Sequence, residues 1–234
     1  MRTLPLLLVL LAVACQSAAA PPGGRTVALR AEVVGGGPRP PGLVDHPAFV
    51  LYGDRTLIVS LGAEPLVREY HLTTEEFDRL YGRARDAGLD RAETHDDPVP
   101  DAGTLVVTFG SDAGTAVTRV TPPDRSATGR AGEIARAVAL DPDADLTSPF
   151  TPYRPERVAV VAVETDATAA APPWPLRPLA DGTPVATGRC ATYPAADVAA
   201  VRTGSSWSDR GTTYTVTRRP LLPDEPDCGP LTPR

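Results

Sequence analysis

Apolar and polar residues alternate from Thr26 to Val34. Val27, Leu29, Ala31 and Val33 fall on one side, and Thr26, Ala28, Arg30 and Glu32 on the other. This period of two predicts a strand with one buried face. Ala48–Tyr52 and Thr56–Leu61 are β-rich runs on either side of Gly53-Asp54-Arg55 and predict a hairpin, with Gly53 supplying the positive φ of the turn. Residues 65–71 predict a fourth strand. The pattern then changes period. Phe77, Leu80, Tyr81 and Ala84 recur at helical spacing. Thr73 and Glu76 form a capping box, Leu72 and Phe77 a hydrophobic staple, and Gly88 a left-handed stop.

Residues 91–102 read as an acidic, proline-broken loop. Thr104–Phe109 and Thr115–Val120 predict a second hairpin around Gly110-Ser111-Asp112-Ala113-Gly114. Ser126–Leu140 predicts a second helix ended by Pro142, and Arg157–Val163 a β-branched strand. Hairpins followed by helices predict an α+β fold, an antiparallel sheet with two helices on one face. Ala169-Ala170-Ala171-Pro172-Pro173-Trp174-Pro175 marks an extended connector over 166–184. Residues 185–234 then predict a small C-terminal α/β unit, with a short helix near Ala195–Arg202 and a strand over Thr213–Arg219. The main domain so read covers 26–165. Trp174 is expected to pack the connector onto it, and Trp207 to cap the small C-terminal core.

The front of the chain is different in kind. Met1-Arg2 precedes an eleven-residue apolar run from Leu4 to Ala14. A membrane-spanning helix needs about 20 apolar residues, so the run fits the core of a secretory signal over 1–14. Ala12-Val13-Ala14-Cys15 resembles the lipobox of bacterial lipoproteins, with Ala12 where that pattern usually has Leu. The resemblance implies a diacylglycerol on the Cys15 thiol and a membrane partner through it. Ordinary secretion, with cleavage there or near Ala18-Ala19-Ala20, is the alternative. Residues 15–25 are rich in small residues and read as a flexible tether.

The chain holds three cysteines, Cys15, Cys190 and Cys228. An exported protein normally pairs its thiols, and lipidation of Cys15 leaves Cys190 and Cys228 to form one disulfide. Such a bridge is expected to staple a C-terminal unit too small to bury much surface.

Composition removes several chemistries. All 23 Lys+Arg positions are Arg, and the chain contains neither Lys nor Asn. This excludes a phosphate-loop lysine, a Schiff base and an N-glycosylation acceptor. The net charge of −6 argues against a nucleic-acid partner.

The densest group of metal-ligand types is His95-Asp96-Asp97 with Asp101, which lacks a regular ligand spacing and reads as a solvated loop. Asp141-Pro142-Asp143-Ala144-Asp145 imitates the start of a calcium loop. However, Leu146 stands where Gly is needed and Pro152 where the bidentate Glu is needed. Neither Ser111 nor Ser205-Ser206 sits in a nucleophile elbow. No metal or other cofactor is expected, and no catalytic residue is assigned.

Ala48-Phe49-Val50-Leu51-Tyr52-Gly53-Asp54, Thr74-Glu75-Glu76, Trp174-Pro175-Leu176 and Arg219-Pro220-Leu221-Leu222-Pro223-Asp224-Glu225 together resemble uncharacterised exported lipoproteins of high-GC Gram-positive bacteria. That resemblance implies an envelope location and carries no activity. The leading expectation is a lipid-anchored module on the outer face of the membrane that binds an envelope protein or a cell-wall component. An envelope hydrolase built on His71 or His95 with a nearby Asp is one alternative. A protease inhibitor presenting the Pro-rich loop after Val34 or the stapled tail is another. His46, in Asp45-His46-Pro47, carries no signal of its own.

Overall fold

The computed structural model describes residues 19–37, 46–61, 66–97, 99–126, 128–166, 171–186 and 188–229. Cys15 and the signal-like run lie outside them. The fold is mixed α+β, built mainly of strands in two sheets.

The first sheet contains β1 (Val27–Gly35), β2 (Phe49–Tyr52), β3 (Thr56–Leu61), β4 (Leu66–His71), β5 (Thr94–Asp96), β6 (Gly103–Ser111), β7 (Gly114–Thr121) and β8 (Phe150–Pro152). Their spatial order is β5-β7-β6-β1-β2-β3-β4-β8. Every pairing is antiparallel except β5 with β7. Leu29, Ala31, Phe49, Leu51, Leu57, Val107 and Phe109 form the buried face beneath the helices α1 (Thr74–Asp86) and α2 (Arg130–Ala137). Val27 departs from the expected alternation. A register irregularity between Val27 and Leu29 moves it to the opposite face, with Val50, Tyr52 and Ile58.

Helix α1 follows its local signals closely. The Thr73 side chain accepts from the Glu76 N–H at 3.2 Å, and the Glu76 carboxylate accepts from the Thr73 N–H at 2.9 Å. At the other end Gly88 has φ +72°. The Leu89 N–H donates to the Ala84 carbonyl at 3.2 Å and the Gly88 N–H to the Arg85 carbonyl at 2.7 Å, the paired bonds of a Schellman stop. Glu76 does more than cap the helix. It also accepts from Thr147 and Ser148, tying a distant loop to the helix start.

Other elements differ from the sequence reading for local reasons. Helix α2 begins at Arg130 rather than Ser126, because the Ser126 N–H and hydroxyl both turn back to Asp124. Pro142 starts a helical turn, α3 (Pro142–Asp145), instead of ending a helix; proline suits the first helical position and Asp141 caps it. Residues 94–96 of the expected loop pair as an edge strand. In the β2–β3 turn the left-handed residue is Arg55, φ +68°, not Gly53. The expected flexible tether is docked from Ala20 onward. The Ala20 carbonyl accepts from the Asp112 N–H at 2.9 Å, Pro22 is buried, and Arg25 pairs with Asp54 at 3.3 Å.

The second sheet has the order β10-β11-β9-β13-β12. It comprises β9 (Arg157–Glu164), β10 (Thr183–Val185), β11 (Gly188–Pro194), β12 (Ser205–Asp209) and β13 (Thr212–Pro220). Strand β9 reads from sequence as the last strand of the main domain. It is instead the middle strand here, between β11 and β13. Its near-continuous apolar run is explained by burial on both faces: Val158, Val160 and Ala162 on one, Ala159 and Val161 on the other.

Trp174 is an anchor, as expected, but onto this second sheet. It packs edge-on to Trp207 at 5.3 Å and near Tyr193 at 5.8 Å. Trp207 is half-buried against the same core. The connector is therefore partly built into the sheet, contributing a 3-10 turn (Leu179–Asp181) and β10. The expected helix near 195–202 is a run of turns. The Asp197, Ala199 and Val201 N–H groups each reach back three residues, which buries Val198 and Val201.

Candidate functional site

The most concentrated polar chemistry among the described residues lies between the two sheets. After β13 the chain turns back as Leu221–Cys228. Leu221 packs under the second sheet with Cys190 and Cys228, while its neighbour Leu222 packs against Val50, Tyr52 and Ile58 of the first. Successive residues thus enter two different cores. Leu222 is fixed by a reciprocal pair of bonds with Glu225, its N–H donating to the carboxylate and its carbonyl accepting from the Glu225 N–H, both at 3.0 Å.

Glu225 is the centre of the cluster. Arg219 reaches it with two nitrogens at 2.5 and 2.8 Å, and Arg30 of β1 reaches it at 2.8 Å. Arg219 is 2 % exposed and Glu225 1 %. Arg30 also donates to Asp224 at 2.9 Å, and the Tyr52 hydroxyl donates to Asp224 at 2.5 Å. Tyr153 donates to the Leu221 carbonyl at 2.7 Å. Burial opposes ionisation of Glu225, but Arg219 and Arg30 outweigh it and hold the carboxyl down to about 2. Burial and the neighbouring Asp224 carboxylate push the Tyr52 hydroxyl well above its ordinary range, so it stays protonated and a donor. Every carboxylate oxygen of Asp224 and Glu225 accepts at least one hydrogen bond, and these bonds join the two sheets.

His46 is the exception. Both of its ring nitrogens are buried without a hydrogen-bond partner. Burial and the positive charge of Arg219 push its pKa down to about 4; Glu225 opposes this and Arg30 adds to it. An imidazole free in water titrates near 6.5. Between those two values the unfolded chain binds a proton that the folded chain refuses, so stability falls as pH drops through this window. Below it, Glu225 extends the loss, because its folded pKa also lies under its unfolded value. The wild type is expected to lose on the order of 3 kcal/mol between pH 6.5 and pH 4 through His46. His46→Leu should flatten that window and leave the loss below it. Urea midpoints measured across pH check this; an unchanged slope in His46→Leu refutes it.

The residues singled out in the sequence are dispersed. Cys190 and Cys228 are bonded, with Cα atoms 6.0 Å apart, as the cysteine count predicts. Cys15 lies outside the described residues. His95, on β5, contacts Glu93 at 2.9 Å, and the same carboxylate receives two bonds from Arg130, each 2.9 Å. These contacts, Arg130 first and His95 second, hold Glu93 down to about 2. The glutamate is thus committed as an ion-pair acceptor rather than poised as a base. Asp96 lies on the same strand, and the Asp97 N–H bonds the Thr121 carbonyl. Asp101 occupies a left-handed turn position.

His71, at the exposed end of β4, is 3.7 Å from Glu69. Five strands lie between β4 and β5 in the sheet, so His71 and His95 do not converge. Asp141 and Asp145 spend oxygens on backbone N–H groups of their own turn, and Asp143 pairs with Arg68 at 2.9 Å. Ser111 closes its hairpin by bonding Ala113 and Gly114. Ser205 and Ser206 belong to β12; the Ser205 hydroxyl oxygen accepts from the Trp207 indole at 2.8 Å. Among the described residues, no group of three or more His, Cys, Asp or Glu side chains is placed to hold a metal.

A shallow cavity of about 340 Å³ opens on the second sheet, lined by Glu164, Arg189 and Tyr214 with Val163, Pro184 and Gly188. It receives none of the histidines. The inter-sheet cluster escapes a reading of the sequence because no spacing joins its members: Arg30 and Asp224 are 194 positions apart. The one local signal is a charged pair, Asp224-Glu225, between prolines and just before a cysteine. No family model, curated protein or solved structure matches the chain.

Proposed function

We propose that the protein is a lipid-anchored module on the extracytoplasmic face of the cell membrane that binds an envelope protein or a cell-wall component. The observation that carries this reading is the start of the chain, a short positive end and an eleven-residue apolar run closed by Ala12-Val13-Ala14-Cys15. The Cys190–Cys228 bridge supports it twice. A disulfide belongs to an oxidising compartment, and this one accounts for two of the three thiols, leaving Cys15 for the lipid. Two acyl chains on one sulfur suffice for stable anchoring.

The surface supports a binding role. Strand β8 closes one edge of the first sheet with all three residues exposed, Phe150 at 46 %, and Leu66 on the neighbouring strand is 55 % exposed. An open strand edge offers unpaired backbone groups, and the aromatic beside it offers an apolar contact. Intact-mass measurement of the native product should find a diacylglyceryl adduct on Cys15, and Cys15→Ser should appear in the medium. A variant that still sediments with membranes overturns the reading.

A further inference from the structure

The chain enters the folded body at one end of the first sheet. There the β2–β3 turn, Gly53-Asp54-Arg55, lies beside the β6–β7 turn, Asp112-Ala113. The Ala20 carbonyl bonds the Asp112 N–H, and the Thr26 carbonyl bonds the Gly53 N–H, both at 2.9 Å. Arg25 spans Asp54 at 3.3 Å and Glu69 at 3.6 Å. The entering segment is also seated sterically. A Cβ at Gly53 would lie 1.8 Å from the Pro22 carbonyl oxygen, and one at Gly110 would lie 2.0 Å from that of Val27. Only glycine permits these approaches. Pro21 and Pro22 lose little freedom when they dock.

Five residue steps separate Cys15 from Ala20. At no more than about 3.6 Å each they reach about 18 Å. We propose that the turn end of the first sheet, Gly53–Arg55 with Asp112-Ala113, is the membrane-facing surface of the protein, held against the lipid headgroups by this short leash. The proposal rests on lipidation of Cys15. Strand β6 is nine residues long, so the opposite end of the sheet lies about 30 Å further along the strands. That far end carries the exposed Val33, Val34, Leu66 and Val99 and is turned toward the cell exterior.

The test uses the full lipidated chain in phosphatidylcholine vesicles containing a nitroxide-headgroup lipid. A fluorescent noncanonical residue replaces either Ala113 or Val99. Intact mass first establishes the acyl group; a bare Cys15 overturns the lipid reading and this proposal with it. With the lipid present, quenching at residue 113 should exceed that at residue 99 severalfold. Equal or reversed quenching overturns the orientation while leaving lipidation standing. Inserting about twenty Gly/Ser residues between Ser17 and Ala18 gives the body a root-mean-square freedom of about 25 Å and should remove the difference. A difference that survives the insertion shows that the leash does not set the orientation, and overturns the proposal.

Discussion

Glu225→Ala should destabilise the protein by about 3–5 kcal/mol at neutral pH, the cost of removing one partner from a buried, hydrogen-bonded ion cluster. The residue serves two guanidiniums from different sheets. Arg219, on β13, is 2 % exposed and forms a bidentate pair with the carboxylate; Arg30, on β1, bonds the same carboxylate and also pairs with Asp224 and Glu32. The electrostatic loss can be separated from a simple loss of packing. The paired replacement Arg219→Met with Glu225→Leu removes both members of the most deeply buried pair, so it should cost clearly less than Glu225→Ala alone. Urea midpoints of the three proteins decide the matter. If the double variant is as unstable as the single one, the cluster acts through packing and the electrostatic account fails.

What the sequence makes legible follows the range of the interaction. Helix α1 is readable because its cap, stripe and stop all lie between Leu72 and Leu89, within a few residues of the groups they satisfy. The β2–β3 and β6–β7 hairpins are readable for the same reason. The disulfide is readable from counting, once one thiol is assigned to the lipid. Strand β9 shows where this kind of reading stops. Its apolar run says that both faces are buried, but says nothing about which neighbours bury them, and they prove to be β11 and β13. Strand β11, Gly188–Pro194, is small and polar enough to pass for a loop; it is a strand because Cys190 and Tyr193 find separate cores. The junction is the extreme case. Arg30 reads as a solvated position on the polar face of β1, and only the returning tail makes it a buried ligand of Glu225. The docking of residues 20–25 is illegible for a different reason: their small side chains look flexible, and only the fold brings them to Gly53, whose lack of a Cβ makes room for the Pro22 carbonyl.

Removing the disulfide by Cys190→Ala with Cys228→Ala should cost about 4 kcal/mol, because the bridge closes a loop of 38 residues in the unfolded chain. Its position gives the loss a second signature. Cys228 lies three residues beyond Glu225, so the bridge to β11 pins the far end of the strap whose near end is the last residue of β13. With the bridge present, Leu222, Asp224 and Glu225 are held from both sides. Without it, they are covalently held on one side only, and the contacts of Arg30, Tyr52, Tyr153 and Arg157 must order the tail, which costs about 1–2 kcal/mol of conformational entropy per residue fixed. Hydrogen exchange should therefore accelerate first at the Leu222 and Glu225 amides, whose bonds close the strap, and later at the Leu89 amide that stops α1. Because Glu225 and the bridge restrain one segment, their removals should not add. The triple variant should be less destabilised than the sum of the two parts by about 0.5–3 kcal/mol. Strict additivity in urea midpoints would show that the bridge and the ion cluster act independently, and the strap would then not be the element joining the two sheets.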